Sequence, residues 1–291
     1  MSEIVVVGGS GWAGTELVRR LIAERADFSV VSHSDSGAAH LRATGARSVV
    51  RANLEDSSTL IEAFNGARVV YAIPPTLHQR EDELIINAIR AAESSGVEHF
   101  TYHSVMHPNT PFLRNHVRKS RVESVLQSSR LSWTIVQPSV YSQVILAMFA
   151  THPAGRVVVP FDADSELAMV DLGDCAEVGV KILTESREHS YATYELAGPV
   201  VSLRHCVAEV ATARRIDLTV EKVPISDAVL PPAARTSAQS AADMISTFAH
   251  YDQHGFRGNS FILAQLLGRS PTTFAEVAER RLRDTTASIA D

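Results

Sequence analysis

The stretch Ile4-Val5-Val6-Val7-Gly8-Gly9-Ser10-Gly11-Trp12-Ala13-Gly14 runs from an apolar segment into a turn that is rich in glycine. Apolar residues then recur at helical spacing over residues 17–22. The pattern predicts a strand, a tight turn and an amphipathic helix. Such a turn lets backbone approach a phosphate closely, and the first N–H groups of the helix attract anions. We interpret Gly8, Gly11 and Gly14 as a phosphate loop; a glycine-rich turn without a ligand is the alternative.

Strand-like and helix-like segments alternate beyond this loop. Apolar strand runs separated by helices indicate an α/β fold with a Rossmann-type, doubly wound parallel sheet. Further strands are predicted at 28–31, 48–51, 69–73, 99–103 and 133–136, and helices at 58–64, 84–96 and 117–128.

After Pro138 the predicted elements become shorter and more mixed. Strands are predicted at 157–160, 168–170 and 194–197, helices at 174–183, 203–213 and 272–282, and a loop or linker rich in Ala, Ser and Pro at 226–243. We therefore predict a nucleotide-binding Rossmann domain over residues 1–150 and a smaller α+β substrate-capping region over residues 151–291.

The composition favours a small-molecule partner. The 291 residues carry a net charge of -6, which gives no electrostatic reason to expect nucleic acid or an anionic membrane surface. No apolar run approaches the roughly 20 residues of a membrane-spanning helix, and, because the first predicted strand begins at Ile4, we expect no signal peptide. We expect a cytoplasmic monomer or homodimer whose two cysteines, Cys175 and Cys206, are reduced core residues.

The residues after the second predicted strand favour NADP(H) over NAD(H). An NAD-selective protein usually carries an acid there for the ribose 2′-hydroxyl, whereas this chain has Ser32-His33-Ser34 and only then Asp35. Hydroxyl and imidazole groups can bind a 2′-phosphate that a carboxylate would repel. Asn53-Leu54 should line the adenine, and Ile73-Pro74-Pro75 should border the central part of the cofactor.

These features carry a resemblance to a known family. The glycine loop, Asn53-Leu54, Lys119-Ser-Arg-Val-Glu123 and Leu267-Gly-Arg-Ser-Pro-Thr-Thr-Phe274 are similar to landmarks of the NmrA-like branch of the atypical short-chain dehydrogenase/reductases. The resemblance covers nearly the whole chain. It implies a Rossmann domain, a small carboxy-terminal domain and a cleft between them. The family contains NADPH-dependent quinone and double-bond reductases and also cofactor-sensing regulators.

The chain departs from ordinary short-chain dehydrogenases at their Tyr-x-x-x-Lys pair, because Asn115 stands four residues before Lys119. An amide cannot donate a proton with the acidity of a phenol. The resemblance places Lys119 near the nicotinamide ribose, where an ammonium can stabilise developing negative charge; a solvated helix lysine is the alternative. Ser104 ends the fifth predicted strand and can bind substrate or simply cap the strand.

Histidines gather around the same strand end. His103 and His116 are candidates for proton transfer, and His107 is a candidate for the substrate pocket, although a single histidine is more often a surface or structural residue. Successive side chains of a strand point to opposite faces of the sheet, so Tyr102 and His103 cannot both face the substrate. Tyr141 can line the pocket or pack at the domain junction. The spacing does not support a metal site, and Asp174 is expected to cap the following helix rather than to pair with Asp171.

These observations predict an NADP(H)-dependent oxidoreductase that transfers hydride to a quinone, enone, imine or ketone. A non-catalytic NADP(H)-sensing regulator that acts through a protein partner is the alternative, and a cofactor-assisted lyase or isomerase is a third.

Overall fold

The computed structural model describes residues 3–150 and 155–287. Its strands are β1 (Ile4–Val7), β2 (Phe28–Ser32), β3 (Val49–Arg51), β4 (Val69–Ala72), β5 (His99–His103), β6 (Ser132–Pro138), β7 (Val140–Tyr141), β8 (Arg156–Val159), β9 (Glu166–Val170), β10 (Ala192–Leu196), β11 (Val200–Ser202) and β12 (Thr219–Lys222). Its helices are α1 (Trp12–Ala23), α2 (Asp35–Thr44), α3 (Ser57–Phe64), α4 (Glu81–Ser94), α5 (Arg114–Gln127), α6 (Ser142–Ala150), α7 (Leu172–Thr184), α8 (Leu203–Arg214), α9 (Ala238–His254), α10 (Phe261–Leu267) and α11 (Phe274–Ala287).

The main sheet has seven strands in the order β10-β6-β5-β4-β1-β2-β3. Strands β3, β2, β1, β4, β5 and β6 pair in parallel. The strand order reverses direction at β1, which has β2 on one side and β4 on the other. The predicted doubly wound sheet is confirmed. In doubly wound folds ligands bind at such a switch point, beyond the carboxyl ends of the strands, and in this chain the glycine loop begins there.

Strand alternation assigns the side chains to two faces. Val5, Val70 and Tyr102 belong to an apolar cluster that also contains buried residues of α3, α4 and α5. Gly179 of α7 packs near the other face, because a Cβ there would lie 3.1 Å from Leu17 and 3.3 Å from the Tyr71 ring. A larger residue at position 179 would push α7 away from this contact.

The chain divides into two compact units, which are interleaved in sequence. One comprises Met1–Gln137 and Cys175–Tyr194, and the other comprises Pro138–Asp174 and Glu195–Asp291. The sequence prediction has a single boundary at residue 150; the first unit ends earlier and regains a later segment that carries most of α7. The second unit contains the three-stranded sheet β11-β9-β7 and the pair β12-β8.

The predicted loop over residues 226–243 is wrong in its last part, because α9 begins at Ala238 with the Ser237 side chain accepting a hydrogen bond from the Ser240 amide. The earlier part of the predicted loop contains two short 3₁₀ turns, Ile225–Asp227 and Pro232–Arg235. Helix α2 was not predicted at all. Both helices are rich in small residues, which give a weak apolar period, and glycine and serine also form helices less readily than alanine.

Candidate functional site

The glycine loop lies between β1 and α1, and its glycines have different roles. Gly8 has a φ of +79°, and an added Cβ would lie 2.3 Å from the Ile73 carbonyl oxygen. At Gly14 a Cβ would lie 2.2 Å from the Gly8 oxygen, whereas at Gly11 the same atom is 3.7 Å away. Gly8 and Gly14 are therefore required by the turn itself, whereas Gly11 is exposed and a Cβ there would make only an ordinary van der Waals contact.

The N-terminus of α1 has the properties of an anion-binding site. Its N-cap residue, Gly11, provides no side-chain hydrogen bond, and the first turn contains no acidic residue. Ser10, Gly11 and Trp12 are exposed. An open backbone surface beside uncapped helix N–H groups fits the pyrophosphate of a dinucleotide.

The structure brings the predicted ribose residues to the same place. An added Cβ on Gly37, in the first turn of α2, would lie 2.8 Å from the Ser32 hydroxyl, 3.0 Å from that of Ser34 and 3.7 Å from that of Ser10. The hydroxyls of Ser32 and Ser34 already have backbone partners: Ser32 donates to the Ser34 carbonyl at 2.9 Å, and Ser34 accepts from the Gly37 amide at 3.1 Å. His33 is exposed.

Sequence reasoning missed Arg51, the last residue of β3. It is the register partner of Ser32 in the neighbouring strand β2. Its guanidinium donates a hydrogen bond to Asp35, the first residue of α2. The sequence shows that Arg51 ends a predicted strand. It identifies Arg51 as a neighbour of Ser32 only once β2 and β3 are known to be adjacent, because adjacent parallel strands end at the same edge of a sheet.

The residues predicted to border the adenine and the central part of the cofactor follow β3 and β4. Asn53 is exposed, and its side-chain oxygen accepts from the Glu55 amide at 3.1 Å. Leu54 is half-buried. The Ile73 amide donates to the Val7 carbonyl at 3.0 Å, which holds this segment against the start of the glycine loop, and Pro74 is buried.

Lys119 is engaged in a buried ion pair. Its Nζ lies 2.6 Å from Oε2 of Glu81, and Arg118 Nε lies 3.2 Å from Oε1 of the same carboxylate. Glu81 has no side-chain exposure, and Lys119 has 12%. The solvated-lysine alternative is therefore wrong. Two cations share one carboxylate, so this cluster carries one net positive charge.

Ser104 belongs to a second buried polar group at the ends of β5 and β6. Its hydroxyl donates to Glu123, which also accepts from Gln137 Nε2 at 2.9 and 3.1 Å. Burial raises the pKa of Glu123, against the opposing effect of these hydrogen bonds. Neither Glu123 nor Gln137 was predicted as a site residue, although Glu123 is the last residue of the quoted landmark that begins at Lys119.

His103 lies on the sheet face opposite to Ser104, as strand alternation predicts. Its Nδ1 is 2.9 Å from the Tyr71 hydroxyl. Burial, followed by the charge of Lys119, lowers the pKa of His103 from 6.5 to about 3. A histidine with this pKa is neutral at physiological pH, which argues against a role as a proton donor.

His116 and His107 organise the segment between β5 and α5. His116 is buried, and its Nδ1 lies 3.1 Å from the His107 carbonyl oxygen. His107 itself is exposed, with a φ of +54°. The same carbonyl accepts from the Thr110 hydroxyl at 3.0 Å. Through these hydrogen bonds both residues stabilise the segment between β5 and α5.

Asn115 and Tyr141 complete the predicted set. The Asn115 Oδ1 atom is buried and has no hydrogen-bond partner among the described residues. Tyr141 is a half-buried residue of β7, in the second compact unit, so its place in a common pocket stays a prediction.

Asp174 anchors a loop instead of capping α7. Its carboxylate accepts from Arg269 Nη2 at 2.8 Å and from the Thr272 amide and hydroxyl at 2.7 and 2.8 Å. Asp171 accepts from Arg280 Nη2 at 2.7 Å and from Gln143. The capping prediction is wrong, because both carboxylates hold the carboxy-terminal Gly-Arg-Ser-Pro-Thr-Thr segment and α11.

Cys175 and Cys206 are both buried thiols. No group of three His, Cys, Asp or Glu side chains in residues 3–150 and 155–287 is arranged to hold a metal ion. Within the same ranges, every helix is too short or too polar to cross a membrane.

The comparisons with known proteins agree with this architecture. The model of the NmrA-like family matches residues 1–277. The chain is 26% identical over 283 residues to an NAD(P)H azoreductase from Xenophilus azovorans, covering 95% of this chain and 96% of the relative. It is 24% identical over 277 residues to quinone oxidoreductase 2 from Escherichia coli (strain K12), covering 94% and 96%.

Solved structures share the fold. An Escherichia coli NADPH-dependent quinone oxidoreductase complexed with NADPH superposes with a TM-score of 0.81 at 23% identity, covering 96% of this chain and 99% of that one. The negative transcriptional regulator NmrA in complex with NAD gives a TM-score of 0.79 at 17% identity, covering 96% and 94%.

Proposed function

Because the chain belongs to the NmrA-like family, we propose that it is an NADP(H)-dependent reductase that transfers hydride to a small organic acceptor. The observation that carries the proposal is the similarity over 94–95% of the chain to an azoreductase and a quinone oxidoreductase. The open surface at Gly11, beside an uncapped helix, supports the cofactor assignment.

Gly8 to Gly14 would hold the pyrophosphate, and Ser10, Ser32, Ser34 and His33 would surround the adenosine ribose. Asn53, Leu54, Ile73 and Pro74 would border the rest of the cofactor. NADPH, when bound, supplies the hydride, and the protein supplies position and electrostatics.

Two buried polar groups would act on the acceptor, one that joins α4 to α5 and one at the ends of β5 and β6. The cluster of Glu81, Arg118 and Lys119 keeps one net positive charge, which can stabilise an anion that develops as hydride arrives. The Ser104 hydroxyl, held by Glu123, can turn to hydrogen-bond the same atom. Neither contact requires the phenol that Asn115 replaces.

The lack of that phenol favours a particular class of acceptor. A ketone becomes a strongly basic alkoxide unless an acid protonates it during transfer. A quinone becomes a phenolate, whose conjugate acid has a pKa near 10, and an extended conjugated acceptor similarly spreads the charge. We therefore expect quinones and azo or other conjugated acceptors to be reduced faster than simple ketones.

A cofactor-sensing regulator is the second candidate, and the observation that favours it is that Asn115, not a tyrosine, stands four residues before Lys119. Such a protein would bind NADP(H), reduce nothing, and bind a protein partner according to the redox state of the cofactor.

Single-turnover oxidation of bound NADPH with a panel of quinones, azo compounds, enones, imines and ketones separates the two. The reductase predicts oxidation by conjugated acceptors, with Gly11→Val, which blocks the cofactor surface, as the inactive control. Tight NADPH binding without oxidation by any acceptor would reject the reductase and favour the regulator. No binding of either nicotinamide cofactor would reject both.

A further inference from the structure

We infer that Arg51 and Asp35 form a cofactor-selecting pair, in which Arg51 binds the 2′-phosphate of NADPH and Asp35 binds the ribose hydroxyls of NADH. The inference rests on the proposed function and adds that this chain accepts both cofactors by exchanging the partners of one ion pair.

The position of the pair follows from the sheet. Ser32 ends β2, Arg51 ends β3, and the two are register partners. Asp35 begins α2, three residues after Ser32. Both charged side chains therefore project at the carboxyl edge of the sheet, where the ribose of a dinucleotide lies in a doubly wound fold.

The surrounding groups are neutral hydrogen-bonding groups that need a cation to hold a phosphate. The hydroxyls of Ser10, Ser32 and Ser34 all lie within 4 Å of the Cβ position of Gly37. The Ser32 hydroxyl and the Ser34 lone pair are already used by backbone groups. A guanidinium matches a phosphate in geometry and binds it through two parallel hydrogen bonds.

The ion pair is easily exchanged. The side chain of Arg51 is 64% exposed and that of Asp35 is 98% exposed. Solvent-exposed pairs contribute little to stability, so releasing one costs little. A 2′-phosphate would draw Arg51 away and leave Asp35 free to turn to solvent. A 2′-hydroxyl would instead donate to Asp35, whose charge Arg51 continues to balance.

The test measures the dissociation constants of NADPH and NADH, and of the fragments 2′,5′-ADP and 5′-AMP, for the full chain and three variants. In Arg51→Gln we expect NADPH and 2′,5′-ADP to bind about 10- to 100-fold more weakly, the range for a lost charge-assisted contact, with NADH and 5′-AMP changed less than about 2-fold. In Asp35→Asn we expect NADH to weaken and NADPH to bind equally well or more tightly.

Arg47→Gln is the matched control, because this exposed arginine precedes β3 and lies at the opposite end of the strand. It should change none of the four constants. Equal weakening of NADPH and NADH in Arg51→Gln, or no change in either, would overturn the inference. A parent protein that binds neither cofactor would instead reject the proposed function, so the two failures are distinguishable.

Discussion

Lys119 Nζ lies 2.6 Å from the carboxylate of Glu81, which has no exposure to solvent, and this contact joins α5 to α4. The lysine that a family motif marks as a candidate for catalysis is therefore also the counter-ion of a buried acid. Any substitution of Lys119 changes stability and chemistry together, and the two effects must be separated by design.

Lys119→Met is expected to lower the free energy of unfolding by up to about 3 kcal/mol, because Glu81 keeps only Arg118 as a partner. The double variant Glu81→Gln/Lys119→Met should recover most of this stability. If the net positive charge of the cluster stabilises the acceptor, turnover should fall about 100-fold in Lys119→Met, which leaves the cluster neutral, and should recover in the double variant, where Arg118 restores one positive charge. Urea unfolding and single-turnover NADPH oxidation measure the two effects, and full activity in a folded Lys119→Met protein would limit Lys119 to a structural role.

Gly11→Val and Gly14→Ala are expected to fail in different ways. At Gly11, which is exposed, a Cβ would make only an ordinary van der Waals contact, so the fold should survive while the cofactor surface is blocked. At Gly14 a Cβ would lie 2.2 Å from a backbone oxygen, so even alanine should lower the melting temperature. Circular dichroism melts and NADPH titrations of both variants check this. A folded Gly11→Val protein with unchanged affinity would show that the loop is not the binding surface.

Trp12 should report cofactor binding through its fluorescence. It is the first residue of α1 and is 50% exposed beside the phosphate loop. We expect NADPH to quench the emission of the parent and of Trp133→Phe, since Trp133 packs edge-on against Tyr191. In Trp12→Phe most of the quenching should disappear while the affinity, measured by calorimetry, persists. Equal quenching in the two variants would contradict this placement.

Stability should fall as the pH falls below about 6.5, because two buried histidines stay neutral in the folded protein. Burial, as the largest cause, lowers the pKa of His99 from 6.5 to about 4 and that of His103 to about 3. The unfolded chain takes up these protons first, so each residue costs up to about 1.4 kcal/mol per pH unit down to its folded pKa.

His99→Asn tests this linkage, since the His99 ring contacts only the hydroxyls of Ser132 and Thr134 at 3.0 Å in the described hydrogen bonds. Its melting temperature should be lower than that of the parent at pH 7.5 but should fall less steeply between pH 6.5 and 4.5. Parallel curves for parent and variant would mean that His99 does not remain neutral.

The sequence predicted the parts of the fold that depend on local interactions. The run Ile4–Val7, the glycine turn and helix α1 lie within 20 residues of each other, and their conformations follow from backbone sterics and apolar period. Helices α2 and α9 were missed because small residues give a weak apolar signal, and their start depends on the single hydroxyls of Ser34 and Ser237.

By itself, the sequence determined that an apolar strand runs into a phosphate loop and a helix, because each residue there constrains its near neighbours. The tertiary structure alone decided that Lys119 pairs with Glu81, 38 residues away, that Arg51 stands beside Ser32, and that His103 is neutral. Strand order and helix docking bring these groups together, and charge and protonation depend on what surrounds a group in space rather than along the chain.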